Sequence, residues 1–251
     1  MQLLRADLQV WRQTVMTTVI DLWYWSGIQA GIMGYIMPAL GLAPGYGVFI
    51  VAGLVIGAGF FSVFRMVAHL MRDIDRKHEI FYHMTLPIPS WLVLIKKAAF
   101  IAFNSAFLVV CVLPMGKVLL WYQFDLTKVS VMATLAMIVS SSIFYAFYIL
   151  WLAGIVKNSS KMGIVWTRFN FPLWFLGCFQ FSWQVLHKVC PVLAYINLAN
   201  PVTYLMEGIR AALLGQDGFL NVWLCVLALL VFSLLCGLDG MRRLKRKLDY
   251  V

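Results

Sequence analysis

The chain has 251 residues, 63% of them hydrophobic and only 12% charged, with a mean hydropathy of +0.86. Soluble domains hold roughly 45–50% apolar residues, so this composition excludes a soluble globular protein, and apolar runs that are continuous rather than alternating exclude a membrane β-barrel. The net charge of +10 is spread between hydrophobic runs as the positive-inside rule distributes it, so no nucleic-acid partner is expected.

Residues 1–20 put Leu4, Leu8, Trp11, Val15 and Val19 on one helical face, with Arg5, Gln9, Arg12 and Gln13 largely elsewhere. That pattern predicts an amphipathic helix lying in the membrane interface; the competing reading is an extension of the first span. No small-residue cleavage site accompanies Arg5, Asp7 and Arg12, so the segment is not read as a signal peptide. Six spans are expected next, at 22–40, 46–69, 91–113, 129–153, 162–183 and 219–240, each near the length that crosses a bilayer core. Small residues four apart, Gly27 with Gly31 and Gly53 with Gly57, predict close helix approach in the first two spans.

Between the second and third spans the charge density changes abruptly. Arg72, Asp73, Asp75, Arg76, Lys77 and Glu79 fall within one short stretch, which predicts a water-exposed helix over 72–86. Its mixed signs suit docking on another protein better than anchoring to headgroups, and Ile74, Ile80, Phe81 and Met84 supply an apolar face. Pro87-Ile88-Pro89 ends that helix, since proline lacks an N–H and restricts the residue before it. Ser90 is placed to cap the next one.

Lys and Arg residues concentrate at the junctions facing that helix and in the run Arg242–Lys247, whereas the other side carries only Lys117, Lys128, Lys188 and Arg210. The asymmetry predicts that both termini are cytoplasmic. Segment 184–218 is too long for a turn and too interrupted for a span, with Pro191, Asn200, Pro201, Glu207, Arg210, Gly215 and Asp217 breaking its apolar residues. Two short re-entrant helices are expected there, with Asn200-Pro201 marking the turn between them. Glu207 and Arg210, three apart, are spaced to pair. Cys178 and Cys190 are a candidate disulfide beside the competing reading of packing cysteines.

Arg168, inside the fifth span, either snorkels to the headgroups or faces a path for an anionic one. No metal-ligand spacing, nucleophile elbow or paired-carboxylate motif occurs, so no catalysis or metal is assigned to this chain. No P-loop occurs either, so ATP would have to be bound and hydrolysed by a separate subunit.

The order of these features resembles the permease subunits of type-2 ATP-binding-cassette exporters. The resemblance spans nearly the whole chain, through the amphipathic start, six spans, charged helix, and Thr85-Leu86-Pro87-Ile88-Pro89. Its most specific stretch runs Asn200-Pro201-Val202-Thr203-Tyr204-Leu205-Met206-Glu207-Gly208-Ile209-Arg210, continuing to Gly215, and Asn170-Phe171-Pro172-Leu173-Trp174 in the fifth span is also similar. What it implies is an all-α, single-domain permease in the bacterial inner membrane, a homodimer joined to two ATPase subunits that carry the ATP and Mg²⁺. Its substrate would be amphipathic: a lipid, a glycolipid or polysaccharide, or a drug. It further implies that Asp73, Asp75, Arg76, Glu79 and Phe81 couple to the ATPase. Asn200, Pro201, Tyr204, Glu207 and Arg210 would form an outer re-entrant gate, and Arg168, Asn170 and Trp174 would line the path. The alternative from a different class is a membrane scaffold or assembly subunit without transport of its own.

Overall fold

The computed structural model describes residues 2–41, 43, 45–75, 89–120 and 125–249, and among these every regular element is helical. In chain order the helices are α1 (Gln2–Gly31), α2 (Tyr46–Asp75), α3 (Ser90–Leu119), α4 (Val131–Ile155), α5 (Met162–Val165), α6 (Phe171–Leu176), α7 (Trp183–Val189), α8 (Pro191–Asn197), α9 (Pro201–Leu214) and α10 (Val222–Asp249). Four of them, α2, α3, α4 and α10, are long and apolar enough to cross a membrane, so the chain is an α-helical membrane protein. Helix α2 is the central one, packed by α1, α3, α4 and α9. Within its apolar window 83% of residues are buried, against 28% for the peripheral α10.

The expected first and fifth spans coincide with interrupted helices. No break occurs at residue 20: α1 runs through it, so the predicted interfacial helix and the start of the first span form one rod. Partway along it, Trp11 Nε1 donates to Asn104 Oδ1 at 2.7 Å, and its ring lies against Phe103 and Phe107 of α3. Beyond Gly31 the rod passes through a π-turn, Ile32–Ile36, into a last α-turn, Met37–Ala39. The same device joins α5 to α6, as the π-turn Trp166–Asn170. In each case the final wide-turn bond is donated by the residue just before a proline: Met37 N–H to Ile32 ahead of Pro38, and Phe171 N–H to Trp166 ahead of Pro172. Proline has no N–H and its ring collides with the carbonyl four residues back, and the wider turn makes room for it. Residues 162–176 rise only about 22 Å at 1.5 Å per residue, which is short of a bilayer core.

Small residues do bring helices together, but not where the four-residue spacing points. A Cβ on Gly31 would meet nothing within 4 Å, and Gly53 and Gly57 make room for the Arg210 and Trp174 side chains rather than for another backbone. The tight crossing is between α1's extension and α2, where a Cβ on Gly47 would fall 2.4 Å from Gly34 Cα. At the far side of the bundle, a Cβ on Gly240 of α10 would lie 2.8 Å from the Trp151 backbone of α4. Spacing along one helix cannot say which partner comes close, because that depends on how the two axes cross.

One end of the bundle is strongly charged. Asp75, at the end of α2, accepts a hydrogen bond from the Ser159 N–H at 3.2 Å, and Lys247, near the end of α10, donates to the Val156 carbonyl at 2.8 Å. The end of α2, the α4–α5 connection and the end of α10 therefore meet there, surrounded by exposed Arg72, Lys157, Lys161, Arg242, Lys245 and Arg246. Asp73 is buried, at 8% exposure. Arg76, Glu79 and Phe81 lie outside the described residues.

The Gly34–Gly47 crossing yields a paired test. Replacing Gly47 with Ala forces two backbones apart and is expected to cost about 1–3 kcal/mol. Replacing Gly31 with Ala adds no collision and removes backbone entropy from the unfolded chain, worth about 0.4–1 kcal/mol of stabilisation. Unfolding in mixed detergent micelles should move the two variants in opposite directions; equal midpoints would show that the helices do not cross at these glycines.

Candidate functional site

The site is built on α9. Asn200 caps it, with Oδ1 accepting the Val202 N–H at 3.0 Å while Nδ2 reaches back to the Leu173 carbonyl of α6 at 2.7 Å. Pro201 occupies the first helical position, where its missing N–H costs nothing. The hydroxyls of Thr203 and Tyr204 donate to the carbonyls of Asn197 and Leu198, at 3.0 and 2.9 Å, folding the end of α8 onto α9. The expected turn at Asn200-Pro201 is thus present, and segment 184–218 holds three helices, α7, α8 and α9, rather than two. With 14 residues, α9 rises about 21 Å, short of the roughly 30 Å of a bilayer core. It is nonetheless buried at every position from Val202 to Leu213, against α2, α4 and α10.

Two full charges sit in that buried face, each at 0% exposure. A charge so placed is tolerated only with its hydrogen-bonding capacity met. Glu207 Oε1 accepts the Trp183 N–H at 2.9 Å, at the start of α7, and Oε2 accepts the Leu220 N–H at 3.1 Å, just ahead of α10. Arg210 Nε donates to the Phe49 carbonyl of α2 at 3.0 Å, and Nη1 and Nη2 donate to the carbonyls of Cys178 and Phe179. The Phe49 ring also lies beneath the guanidinium, with its centroid 3.6 Å from Cζ, and stacks in turn with Tyr46 and Phe219.

This corrects the pairing expected from the three-residue spacing. Glu207 and Arg210 form no ion pair within 4 Å; each is satisfied by main-chain groups instead. The physical reason is geometry: Glu207 is aimed at N–H groups of the segments on one side, while the guanidinium fan is aimed at carbonyls on another. The Cys178–Cys190 disulfide is likewise absent, since both thiols are free. Cys178 is fully buried and its Sγ accepts from Asn197 Nδ2 at 3.2 Å.

The residues assigned to a path separate. Asn170 is buried and accepts the Tyr148 hydroxyl at 2.6 Å, tying the π-turn to α4. Trp174 is buried against Phe60, Phe61 and Phe179, with its ring over Gly57. Arg168 alone is exposed, and it lines an open apolar groove of about 290 Å³ between α6 and the α7–α8 pair. Sequence reasoning missed Tyr46, whose hydroxyl donates to the Gln180 carbonyl at 2.9 Å. It also missed Gln216, which donates to the Leu220 carbonyl at 2.8 Å and accepts the Val222 N–H at 3.2 Å. Tyr46 carries no local signal, because its partner lies far along the chain, and Gln216 bonds main-chain groups, which are alike at every position.

Neither a family model nor a curated protein matches this chain.

The partner geometry predicts which substitutions at this site fail. In Glu207→Gln one acceptor becomes an N–H₂ donor facing an N–H, which should cost about 1–3 kcal/mol for the unsatisfied buried group. Arg210→Lys keeps the charge but cannot span from the Phe49 carbonyl to those of Cys178 and Phe179; losing bonds made by a charged group should cost roughly 2–4 kcal/mol. Unfolding of the detergent-solubilised variants measures both, and a wild-type midpoint for Arg210→Lys would mean that the three-way fan does not hold the structure.

Proposed function

We propose that this chain is the membrane-spanning subunit of an ATP-driven exporter of the type-2 class. In this reading it crosses the bacterial inner membrane six times with both termini cytoplasmic, and two copies join two separate ATP-binding-cassette ATPase subunits. It moves an amphipathic substrate (lipid, glycolipid or polysaccharide, or drug) across or out of that membrane by alternating access. ATP and Mg²⁺ belong to the partner subunit, and this chain is not catalytic.

The observation that carries the reading is the placement of the Asn200–Gly215 stretch, the most specific part of the resemblance. It forms a short, buried, capped helix with two charges inside an apolar bundle. A protein that only anchored itself in lipid would gain nothing from desolvating a carboxylate and a guanidinium, whereas an outer gate held closed needs such fixed points. The opposite, charged end supports the same assignment, because α2 ends there at Asp75, leading into the mixed-charge segment that would dock the ATPase. Closure of an ATPase pair would draw two such segments together and pass the motion directly into α2, the central helix.

The test reverses two of the charges assigned to docking. Arg76→Glu combined with Glu79→Lys is expected to abolish co-purification of the ATPase, and its stimulated hydrolysis, while leaving the chain inserted with an unchanged unfolding midpoint. Normal recruitment and hydrolysis in that variant would overturn the coupling assignment. Recruitment of an ATPase whose hydrolysis this chain never stimulates would identify a scaffold instead. A reporter fused after Val251 should be active only in the cytoplasm.

A further inference from the structure

The groove beside Arg168 has a polarity that its volume alone does not convey. Its walls are apolar, contributed by Pro172, Leu173 and Leu176 of α6 and by Leu186, Leu193 and Ile196 of the hairpin. Arg168 is the cation at one end, exposed and without a hydrogen bond or ion pair among the described residues. At the other end lie Asn197 and Asn200, whose amide nitrogens are already committed to Cys178 Sγ and to the Leu173 carbonyl. The groove therefore offers a charge-assisted donor at one end, while at the other one N–H of each amide is already spent on a neighbour.

Its direction is set by the helix that forms its floor. Arg168 lies two turns before Leu176 on the α5–α6 stack, toward the charged end of the bundle, and the groove runs from it toward the hairpin. We propose that this groove is a binding site for an anionic phospholipid taken from the leaflet at the charged end. The phosphate meets the Arg168 guanidinium, and one acyl chain lies along α6 beneath Leu186, Leu193 and Ile196. The charge complementarity is specific: a guanidinium held at bilayer depth gains from a phosphate, which accepts two of its N–H groups at once, and gains little from a zwitterionic headgroup with its own internal cation. At about 290 Å³ the cavity lies near the lower limit of roughly 300–1,000 Å³ for small-molecule sites, a size for one chain rather than a whole lipid. The site depends only on the chain's being in a membrane, so its failure would leave the exporter reading standing, and the reverse.

The experiment is native mass spectrometry of the full chain in detergent, titrated with phosphatidylglycerol or with phosphatidylcholine of the same chain length. Wild-type protein should retain phosphatidylglycerol in preference, and Arg168→Gln should weaken that retention about fivefold or more without changing the weaker phosphatidylcholine signal. Arg168→Lys, which keeps the charge but loses the two-N–H fork, should keep only part of the preference. Ala199→Trp, which fills the groove from an exposed position, should reduce both lipids, and unfolding midpoints establish that each variant is folded. Equal retention of the two lipids by wild type, or undiminished phosphatidylglycerol binding by folded Arg168→Gln, would overturn the proposal.

Discussion

The desolvation of Glu207 and Arg210 is the constraint that arranges one end of this molecule. Neither charge can be left unpaired inside an apolar bundle, and neither is neutralised by the other at contact distance. Their needs are met by five main-chain groups from four places: the Phe49 carbonyl on α2, the Cys178 and Phe179 carbonyls after α6, the Trp183 N–H at the start of α7, and the Leu220 N–H before α10. Moving any of these segments relative to α9 uncovers a charge. The position of the hairpin is thus set by electrostatics, and its apolar contacts fill in around that position.

One local oddity follows from that requirement. Cys178 adopts φ 62°, in the left-handed region that non-glycine residues avoid at a cost of roughly 1–2 kcal/mol. The turn it makes presents its own carbonyl and that of Phe179 to the same guanidinium. Bonds from a charged donor are worth about 1.5–3 kcal/mol each, so two of them offset the backbone cost. Thiol burial and the Asn197 contact then keep the side chain from needing water.

What was legible in the sequence divides along the same line. Apolar length and charge placement located α2, α3, α4 and α10, since both signals are local and the bilayer imposes them. Asn200-Pro201 read correctly as a turn because the cap and the first-turn proline act within three residues of each other. The partners of Glu207 and Arg210 were not legible: each is a main-chain atom, identical in type at every position, so nothing marked Phe49 or Leu220 in advance. The glycine spacing misled for a related reason, because Gly53 and Gly57 accommodate side chains from α9 and α6 whose approach only the tertiary arrangement determines. Pro38 and Pro172 raised no expectation of the widened turns, because a proline alone does not say whether the helix will kink, stop or widen.

The two widened turns acquire their meaning from the rigidity around α9. With the hairpin tied by buried charge to α2 and to the start of α10, deformation of the bundle is cheapest where the helical ladder is already weakened. That condition is met at Ile32–Ile36 and at Trp166–Asn170. The first is pressed at Gly34 against Gly47, two residues before the Phe49 carbonyl that Arg210 holds, and both are followed by a proline that prevents the regular ladder from re-forming across the joint. The second differs from the first in one respect: Asn170 holds its inner side to Tyr148 on α4, while Arg168 sits exposed beside the groove. Bending at this joint therefore keeps the buried anchor and displaces the cation. In this way a short helix can move its exposed side without disturbing the core it packs against.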